Sequence, residues 1–215
     1  KQFMRYKRAL FVLYEDGTVG CLQQYNQPAT PVPGTGDESV LTADELCGAF
    51  SEATNKGNNN PYLMHLVVRK GNDYFLYVYN ARSHTTANDP LTLKTVVPIP
   101  ADVGREAVVW FGAFSTRYGF YVVGNRIMKF DYLNITQFAP EEKPFRLYDD
   151  KYEIVNVFVL IAGTGLSDKD DCTVVYLYDR EKKTTTINVY DTVTGEDLYT
   201  YEDILPGRGV DFIKK

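Results

Sequence analysis

The sequence predicts an all-β protein: a β-propeller, or part of one, of about four antiparallel blades with one short inserted helix. Its 17 tyrosines and 12 phenylalanines are the first reason, because aromatic side chains favour half-buried, pleated surfaces. The second reason is a strand–hairpin–strand unit that returns roughly every 45–50 residues, beginning near Ala9, Tyr62, Ala107 and Tyr152. A two-sheet sandwich would also use short, regularly spaced strands, and we favour the propeller over it.

Tight-turn signals separate the predicted strands. Asp16-Gly17 and Gly124-Asn125 tolerate the positive φ of short hairpin turns, and Thr194-Gly195 marks another turn. Residues 70–73 and 181–183 are turn signals of the same kind. The predicted strands cover residues 9–14, 18–24, 62–69, 74–79, 91–97, 107–114, 119–123, 126–132, 152–161, 173–179, 184–191 and 197–201. The run over residues 155–161 is almost continuously apolar, which predicts a central strand covered on both faces.

One segment departs from the strand pattern. Residues 27–38 are rich in proline and glycine and predict an extended surface loop. Thr42 and Glu45 then have the spacing of a capping box, and apolar residues follow at helical spacing from Leu46 to Ala53. We therefore predict a short helix over residues 43–54, within an insertion spanning about residues 27–60.

Length and charge limit the class of protein. A chain of 215 residues is ordinary for one all-β domain, so we predict a single domain over residues 1–215. The net charge of −5 and pI near 5.1 argue against nucleic acid as a partner, because neutralisation of phosphates dominates that affinity. The longest apolar runs are shorter than the 18 or so residues of a membrane-spanning helix, so no such segment is expected. The first residue is Lys1, and we expect a mature or trimmed segment.

Candidate groups for catalysis or metal binding are few. His65 lies within a predicted strand and is expected to be structural, whereas His84 lies in a loop with no partner in sequence. Three widely spaced cysteines fit no metal motif and are expected to be buried thiols. Residues 167–171 form the densest acidic cluster, which could hold calcium but is better explained as a solvated turn, as is the pair Asp149-Asp150. We therefore expect no catalytic residues, no metal and no cofactor.

Aromatic residues supply the remaining candidate binding site. Trp110 lies close in sequence to Arg117 and Tyr118, and an exposed indole beside an arginine suits stacking on a sugar. Tyr62 and Tyr79 could flank a groove in the neighbouring repeat unit. The alternative for Trp110 is burial in the core of a central strand, which is favoured, and the same alternative applies to Tyr62 and Tyr79.

The second half of the chain resembles the carboxy-terminal region of the PKD-like family of bacterial lipoproteins. The resemblance rests on the hairpin at residues 118–131 (YGFYVVGNRIMKFD), residues 138–143 (FAPEEK) and the long apolar strand after them. It also includes the strand–turn pair over residues 184–195 and the closing segment over residues 207–213 (GRGVDFI). The first hundred residues match the family only loosely, and the matching motifs describe blade architecture rather than an active site.

The resemblance implies an extracytoplasmic protein of the cell envelope, either an outer-membrane lipoprotein with a lipid anchor upstream of this segment or a periplasmic protein. It also implies a non-enzymatic accessory role in glycan capture and uptake, with a glycan or an envelope protein as partner. Two alternatives remain open: a carbohydrate-active hydrolase or lyase on a propeller scaffold, and a structural module that docks onto a transporter complex. Carboxylates converging at the axis would favour the enzyme, an exposed aromatic face the glycan binder, and a large apolar patch the docking module.

Overall fold

The computed structural model describes residues 2–6, 9–22, 28–52, 62–81, 91–112, 118–132, 135–160 and 171–209. Strands dominate these ranges, and the chain is therefore all-β, as the sequence predicts. The strands are β1 (Gln2–Tyr6), β2 (Ala9–Leu13), β3 (Val19–Leu22), β4 (Thr30–Pro31), β5 (Glu45–Glu52), β6 (Tyr62–Lys70), β7 (Asp73–Ala81), β8 (Thr92–Ile99), β9 (Val109–Gly112), β10 (Tyr118–Val123), β11 (Arg126–Asp131), β12 (Arg146–Leu147), β13 (Tyr152–Leu160), β14 (Cys172–Asp179), β15 (Thr184–Asp191) and β16 (Asp197–Pro206). The one helix in the described part of the chain is α1 (Ala101–Glu106).

The strands form four sheets of four strands each. In every sheet the strands follow one another in chain order: β1 to β4, β5 to β8, β9 to β12 and β13 to β16. Every neighbouring pair is antiparallel. Each sheet is thus a simple meander, and short turns connect β2 to β3, β6 to β7, β10 to β11, β14 to β15 and β15 to β16.

The chain folds into two compact units, the first comprising residues 1–105 and 134–138. It holds the sheets β1–β4 and β5–β8, whose facing side chains form one core that includes Phe11, Leu41, Leu66 and Tyr79. The side-chain amide of Gln2 ties β1 to β5 by bonding both the N–H and the carbonyl of Leu46, at 2.8 and 2.6 Å.

The second unit comprises residues 106–133 and 139–215. Its core lies between the sheets β9–β12 and β13–β16, where Phe111, Phe120 and Ile127 pack with Val175 and Leu177. The rings of Phe111 and Phe120 stack at 5.0 Å between centroids. This packing fixes the two sheets of the unit face to face.

The predicted helix over residues 43–54 is wrong where the structure describes it. Residues 45–52 form β5, which pairs along its length with β6, whereas residues 53 and 54 lie outside the described part. Leu46, Gly48 and Phe50 are buried in alternation, which is the period of a strand. The glycine in this pattern hid the alternation from sequence reasoning, and sheet pairing overrode the helical preference of the local sequence.

The capping box is also replaced by a different contact. The side chain and N–H of Thr42 donate to the carboxylate of Glu38, at 2.5 and 2.7 Å, while Glu45 forms an ion pair with Arg69 at 3.0 Å. The predicted insertion therefore supplies β4 and β5 to the two sheets of the first unit, and Val32 and Leu41 from its loop are fully buried.

The predicted hairpin turns lie where the sequence places them. Gly17 adopts φ +84° between β2 and β3, and Gly195 adopts φ +74° between β15 and β16. These are left-handed conformations that glycine reaches without a steric penalty. The helix α1 was not predicted, and it begins after Pro100, whose carbonyl accepts from the N–H of Gly104 at 2.9 Å.

Candidate functional site

Trp110, the central residue of the predicted aromatic site, lies in the core. It belongs to β9, is 5% exposed, and its ring packs against Tyr121 and Phe130 at centroid distances of 5.0 and 6.0 Å. An enclosed indole offers no free face to a sugar, so Trp110 has the core position that the sequence favoured, and its candidate role in sugar stacking is wrong.

Tyr118 does not share a face with Trp110. Trp110 pairs with Tyr121 across β9 and β10, and successive side chains of a strand point to opposite faces. Tyr118 is therefore on the other face, where Nζ of Lys129 lies 4.5 Å from its ring centroid. Lys129 also pairs with Glu141 at 3.1 Å. Arg117, predicted to act with these two residues, lies outside the described residues.

Tyr79 is another core residue rather than the wall of a groove. Its side chain is fully buried, and its hydroxyl donates to the carbonyl of Pro33 at 2.9 Å. Burial raises the pKa of Tyr79 well above its ordinary value. The backbone of Tyr62 pairs with Ala81 at the start of β6. The side chain of Tyr62 is not among those that the structure describes.

Two exposed aromatic residues lie side by side on β16, which the sequence predicted as a strand but not as a site. Tyr199 and Tyr201 are 46% and 43% exposed. Their rings are nearly parallel, at an interplanar angle of 26° and 6.5 Å between centroids. Ile204, further along the strand, is 47% exposed. Among the described residues, three of the eight exposed large hydrophobic side chains therefore belong to this one strand.

The strand β16 lies at the edge of its sheet. It is the last strand of the sheet β13–β16, where Tyr199 lies opposite Val189 and Tyr201 opposite Ile187. Val189 is buried and Ile187 half-buried, so the two tyrosines extend the apolar side of the sheet outward to its edge. We name the side chains of Tyr199 and Tyr201 the tyrosine pair. A Tyr-x-Tyr pattern between acidic residues at the end of a sheet is the sequence signal for it.

The edge of β16 is irregular, which discourages the addition of another strand. Its register with β15 shifts twice, and Asp203 adopts φ +50°. The carboxylate of Asp203 accepts from Oγ1 of Thr184 at 2.6 Å and from Nζ of Lys182 at 3.0 Å. The bond from Thr184, followed by that from Lys182, lowers the pKa of Asp203. Bulges and charges are the usual protection of a sheet edge, so side chains rather than backbone groups are available for recognition.

The turn before β16 is rigidly built. The carboxylate of Asp191 accepts from the N–H groups of Val193 and Thr194 at 2.9 and 2.7 Å, an arrangement that replaces missing backbone bonds in a turn. Gly195 then donates its N–H to the carbonyl of Asp191 at 2.8 Å. These hydrogen bonds hold the backbone of the turn in place, and with it the start of β16.

A group of polar and aromatic side chains lies beside this turn. The hydroxyl of Tyr190 accepts from the hydroxyl of Tyr148 at 3.0 Å and from Nδ2 of Asn188 at 2.9 Å. The guanidinium of Arg146 lies 3.9 Å from the centroid of the Tyr190 ring. Burial raises the pKa of Tyr148 and Tyr190, so both phenols stay neutral and act as hydrogen-bonding groups rather than as bases.

The groups considered for acid–base or metal chemistry lie elsewhere. His65 is fully buried in β6 and stacks on Phe50 at 4.7 Å between centroids; burial lowers the pKa of His65 to about 3. The three cysteines are thiols, Cys21 and Cys172 buried and Cys47 half-buried. No group of three His, Cys, Asp or Glu residues that could hold a metal occurs among the residues described. His84 and residues 167–170 lie outside them, and Asp149 and Asp150 lie at a turn, as predicted.

Comparison with protein-family models gives no match for this chain, and comparison with curated proteins gives none. Across the described ranges, no helix has both the length and the apolar character needed to cross a membrane.

Proposed function

We propose that the protein is a non-enzymatic binding module that recognises glycans through the tyrosine pair on β16. The observation that carries this proposal is the near-parallel arrangement of two exposed phenol rings at neighbouring same-face positions of one strand. A pyranose ring has an apolar C–H face that packs on an aromatic ring, and its hydroxyls accept and donate hydrogen bonds at the rim. Tyrosine suits both roles because it combines an apolar body with a polar tip.

The arrangement also fits a chain-like ligand. Two nearly parallel rings held on one strand can each contact a different sugar unit of the same oligosaccharide. Such repeated weak contacts add affinity when the geometry allows both to be made at once. We therefore favour an oligosaccharide over a single sugar as the ligand.

The propeller architecture forms part of the same proposal. Four successive four-stranded antiparallel meanders are what the blades of a propeller consist of, and the sheets β1–β4, β5–β8, β9–β12 and β13–β16 have that composition. In a blade assembly β16 is an outer strand, which places the tyrosine pair at the periphery. With the resemblance to PKD-like lipoproteins, we propose a place in the cell envelope, as an accessory component of glycan capture at the outer membrane.

A glycan-array screen tests the binding proposal. We expect the wild-type chain to bind a subset of the array saturably, and Tyr199→Ala/Tyr201→Ala to lose that binding. Removing an aromatic anchor from a binding surface costs about 1–2 kcal/mol, or about five- to thirtyfold in affinity for each ring. Tyr14→Ala is the matched control, since Tyr14 is 37% exposed at the turn after β2, in the first unit, and its loss should leave binding unchanged.

Two further measurements separate this proposal from the alternatives. Prolonged incubation with the bound glycan should leave its chain length unchanged, whereas shortening would identify a hydrolase or lyase. If the folded wild-type chain binds no glycan, the proposal is wrong, and the exposed apolar side chains of β16, Ile204 among them, would then favour docking to a protein.

A further inference from the structure

Arg146 connects the two sheets of the second unit at the start of β16. It belongs to β12, the edge strand of the sheet β9–β12, where it pairs with Ile127. Its Nη2 donates to the carbonyl of Gly195 and lies 3.3 Å from Oδ1 of Asp197, the first residue of β16. One guanidinium thus holds both the turn and the strand that follows it.

The ring system around Arg146 fixes the direction of its guanidinium. The guanidinium stacks on Tyr190 at 3.9 Å from the ring centroid, and the hydroxyl of Tyr190 is held in turn by Tyr148 and Asn188. Arginine suits this position because its planar group stacks on an aromatic ring while its N–H groups donate in the plane. Lysine could not make both contacts in the same geometry.

Phe145, the residue before Arg146, supports the same turn from its side. Its ring contacts Phe120 and Tyr190 edge-on at 5.2 and 6.4 Å between centroids. A Cβ built on Gly195 would lie 3.2 Å from Cε2 of Phe145, so the ring approaches the turn as closely as a glycine allows. Phe145 and Arg146 therefore both contact the turn at Gly195, the first by packing and the second by a hydrogen bond.

From this geometry we infer that Arg146 is a positioning residue for recognition: it orients β16, and with it the tyrosine pair, from the neighbouring sheet. Tyr199 follows Asp197 by two residues, so motion at the anchored end moves the first ring directly. The inference rests on the proposed function for its consequence in binding, whereas the anchoring of β16 by Arg146 stands on the contacts alone.

Hydrogen exchange measured by mass spectrometry on the whole chain tests the anchoring without any ligand. In Arg146→Gln we expect the amides of residues 195–201 to exchange about tenfold faster. The charge-assisted bonds of Arg146 oppose local opening of this segment, and their loss raises the population of the open, exchanging state. The amides of β14 should be unchanged. Lys182→Gln is the matched control, because Lys182 also forms an ion pair with a β16 carboxylate, at 3.0 Å from Asp203, but at the opposite end of the strand.

The positioning role is tested with cellohexaose, xylohexaose and mannohexaose as probes. Arg146→Gln should weaken binding of the preferred hexasaccharide about tenfold with the melting temperature lowered by only a few degrees, and Arg146→Lys should restore less than half of the exchange protection. Should Arg146→Gln fail to fold, the exchange pattern of Arg146→Lys decides the question.

Unchanged exchange at residues 195–201, or faster exchange spread evenly over β13–β16, would overturn the inference. If local exchange rises but the wild type binds none of the three probes, the anchoring holds and the proposed function fails for these sugars.

Discussion

Protonation of His65 is costly to the folded chain. It is enclosed in β6 against Phe50, and burial, followed by the nearby charge of Lys94, lowers the pKa of His65 to about 3. In the unfolded chain a histidine titrates near 6.5. Between these two values only the unfolded chain binds the proton, so acid favours unfolding.

We therefore expect the free energy of unfolding to fall as the pH is lowered from about 6.5 towards 3, by up to about 1.4 kcal/mol per pH unit from this one group. Above pH 6.5 the histidine is neutral in both states and the contribution is constant. Urea unfolding at several pH values, followed through the fluorescence of Trp110, measures this slope.

The variant His65→Leu separates the contribution of the histidine to the pH dependence of stability from the contribution of the carboxylates. Hydrogen bonds from Thr18 and Thr184 lower the pKa values of Asp16 and Asp203, and these groups also lose stabilisation as the pH falls. The difference in slope between the wild type and His65→Leu isolates His65. Equal slopes between pH 6.5 and 4 in the two proteins would show that His65 is protonated in the folded state.

The residue scale also shows why sequence alone did not single out the tyrosine pair. Trp110 and Tyr199 are both aromatic residues of predicted strands, over residues 107–114 and 197–201, and the sequence favoured a core position for Trp110. Both residues lie on edge strands, β9 and β16, and the difference between them is what covers the ring: Trp110 packs against Tyr121 and Phe130, whereas Tyr199 is 46% exposed. The cover over an edge strand comes from tertiary packing, which residue type does not encode.

At the scale of elements, α1 depends on a close approach between Gly104 and Tyr74. A Cβ added to Gly104 would lie 2.1 Å from Cγ of Tyr74, so the helix can pack on β7 only with a glycine at this position. Alanine would raise the helical preference by about 1 kcal/mol but would force α1 and Tyr74 apart.

We expect Gly104→Ala to lower the free energy of unfolding by about 1–3 kcal/mol, the usual cost of overpacking. Chemical denaturation of the single and double variants measures it. In the background of Tyr74→Ala, the same change should cost much less, since the clashing ring is gone, and this coupling identifies the contact. A neutral or stabilising Gly104→Ala in the wild-type background would contradict the close approach.

The elements that sequence predicted best are those with strong local signals. The hairpin turns at Gly17 and Gly195 and the strands around them follow from turn chemistry and alternation. β5 was missed because Gly48 interrupts its alternation. The long apolar run of β13 was expected to lie centrally, yet β13 is the first strand of its sheet, because burial of its residues comes from packing between sheets as well as from neighbouring strands.

At the scale of the whole molecule, the predicted repeat is confirmed in number and strand direction. The third and fourth sheets begin at Val109 and Tyr152, close to the predicted starts near residues 107 and 152. The first two begin one strand earlier than predicted, at Gln2 and Glu45. Both differences arise from strands that local signals hid, one in a basic segment and one in an apparent helix. The single domain over residues 1–215 stays a prediction.

The propeller proposal predicts a compact particle. A compact domain of this length has a radius of gyration of about 17 Å, and small-angle X-ray scattering of the monomer in solution measures it. A radius several ångströms larger, with a scattering curve of two separated bodies, would contradict a closed arrangement of the four sheets. The binding proposal is independent of this outcome, since the tyrosine pair lies within one sheet.

The central claim is that β16 carries the recognition surface, and calorimetric titration tests it most directly. The glycan with the strongest array signal is titrated into the wild type, Tyr199→Ala/Tyr201→Ala and Tyr14→Ala, with the fluorescence of Trp110 confirming that each protein is folded. We predict saturable binding by the wild type and Tyr14→Ala, and a loss of at least about tenfold in affinity in the double variant. Equal affinity in all three proteins, or no glycan bound by the folded wild type, would contradict the account.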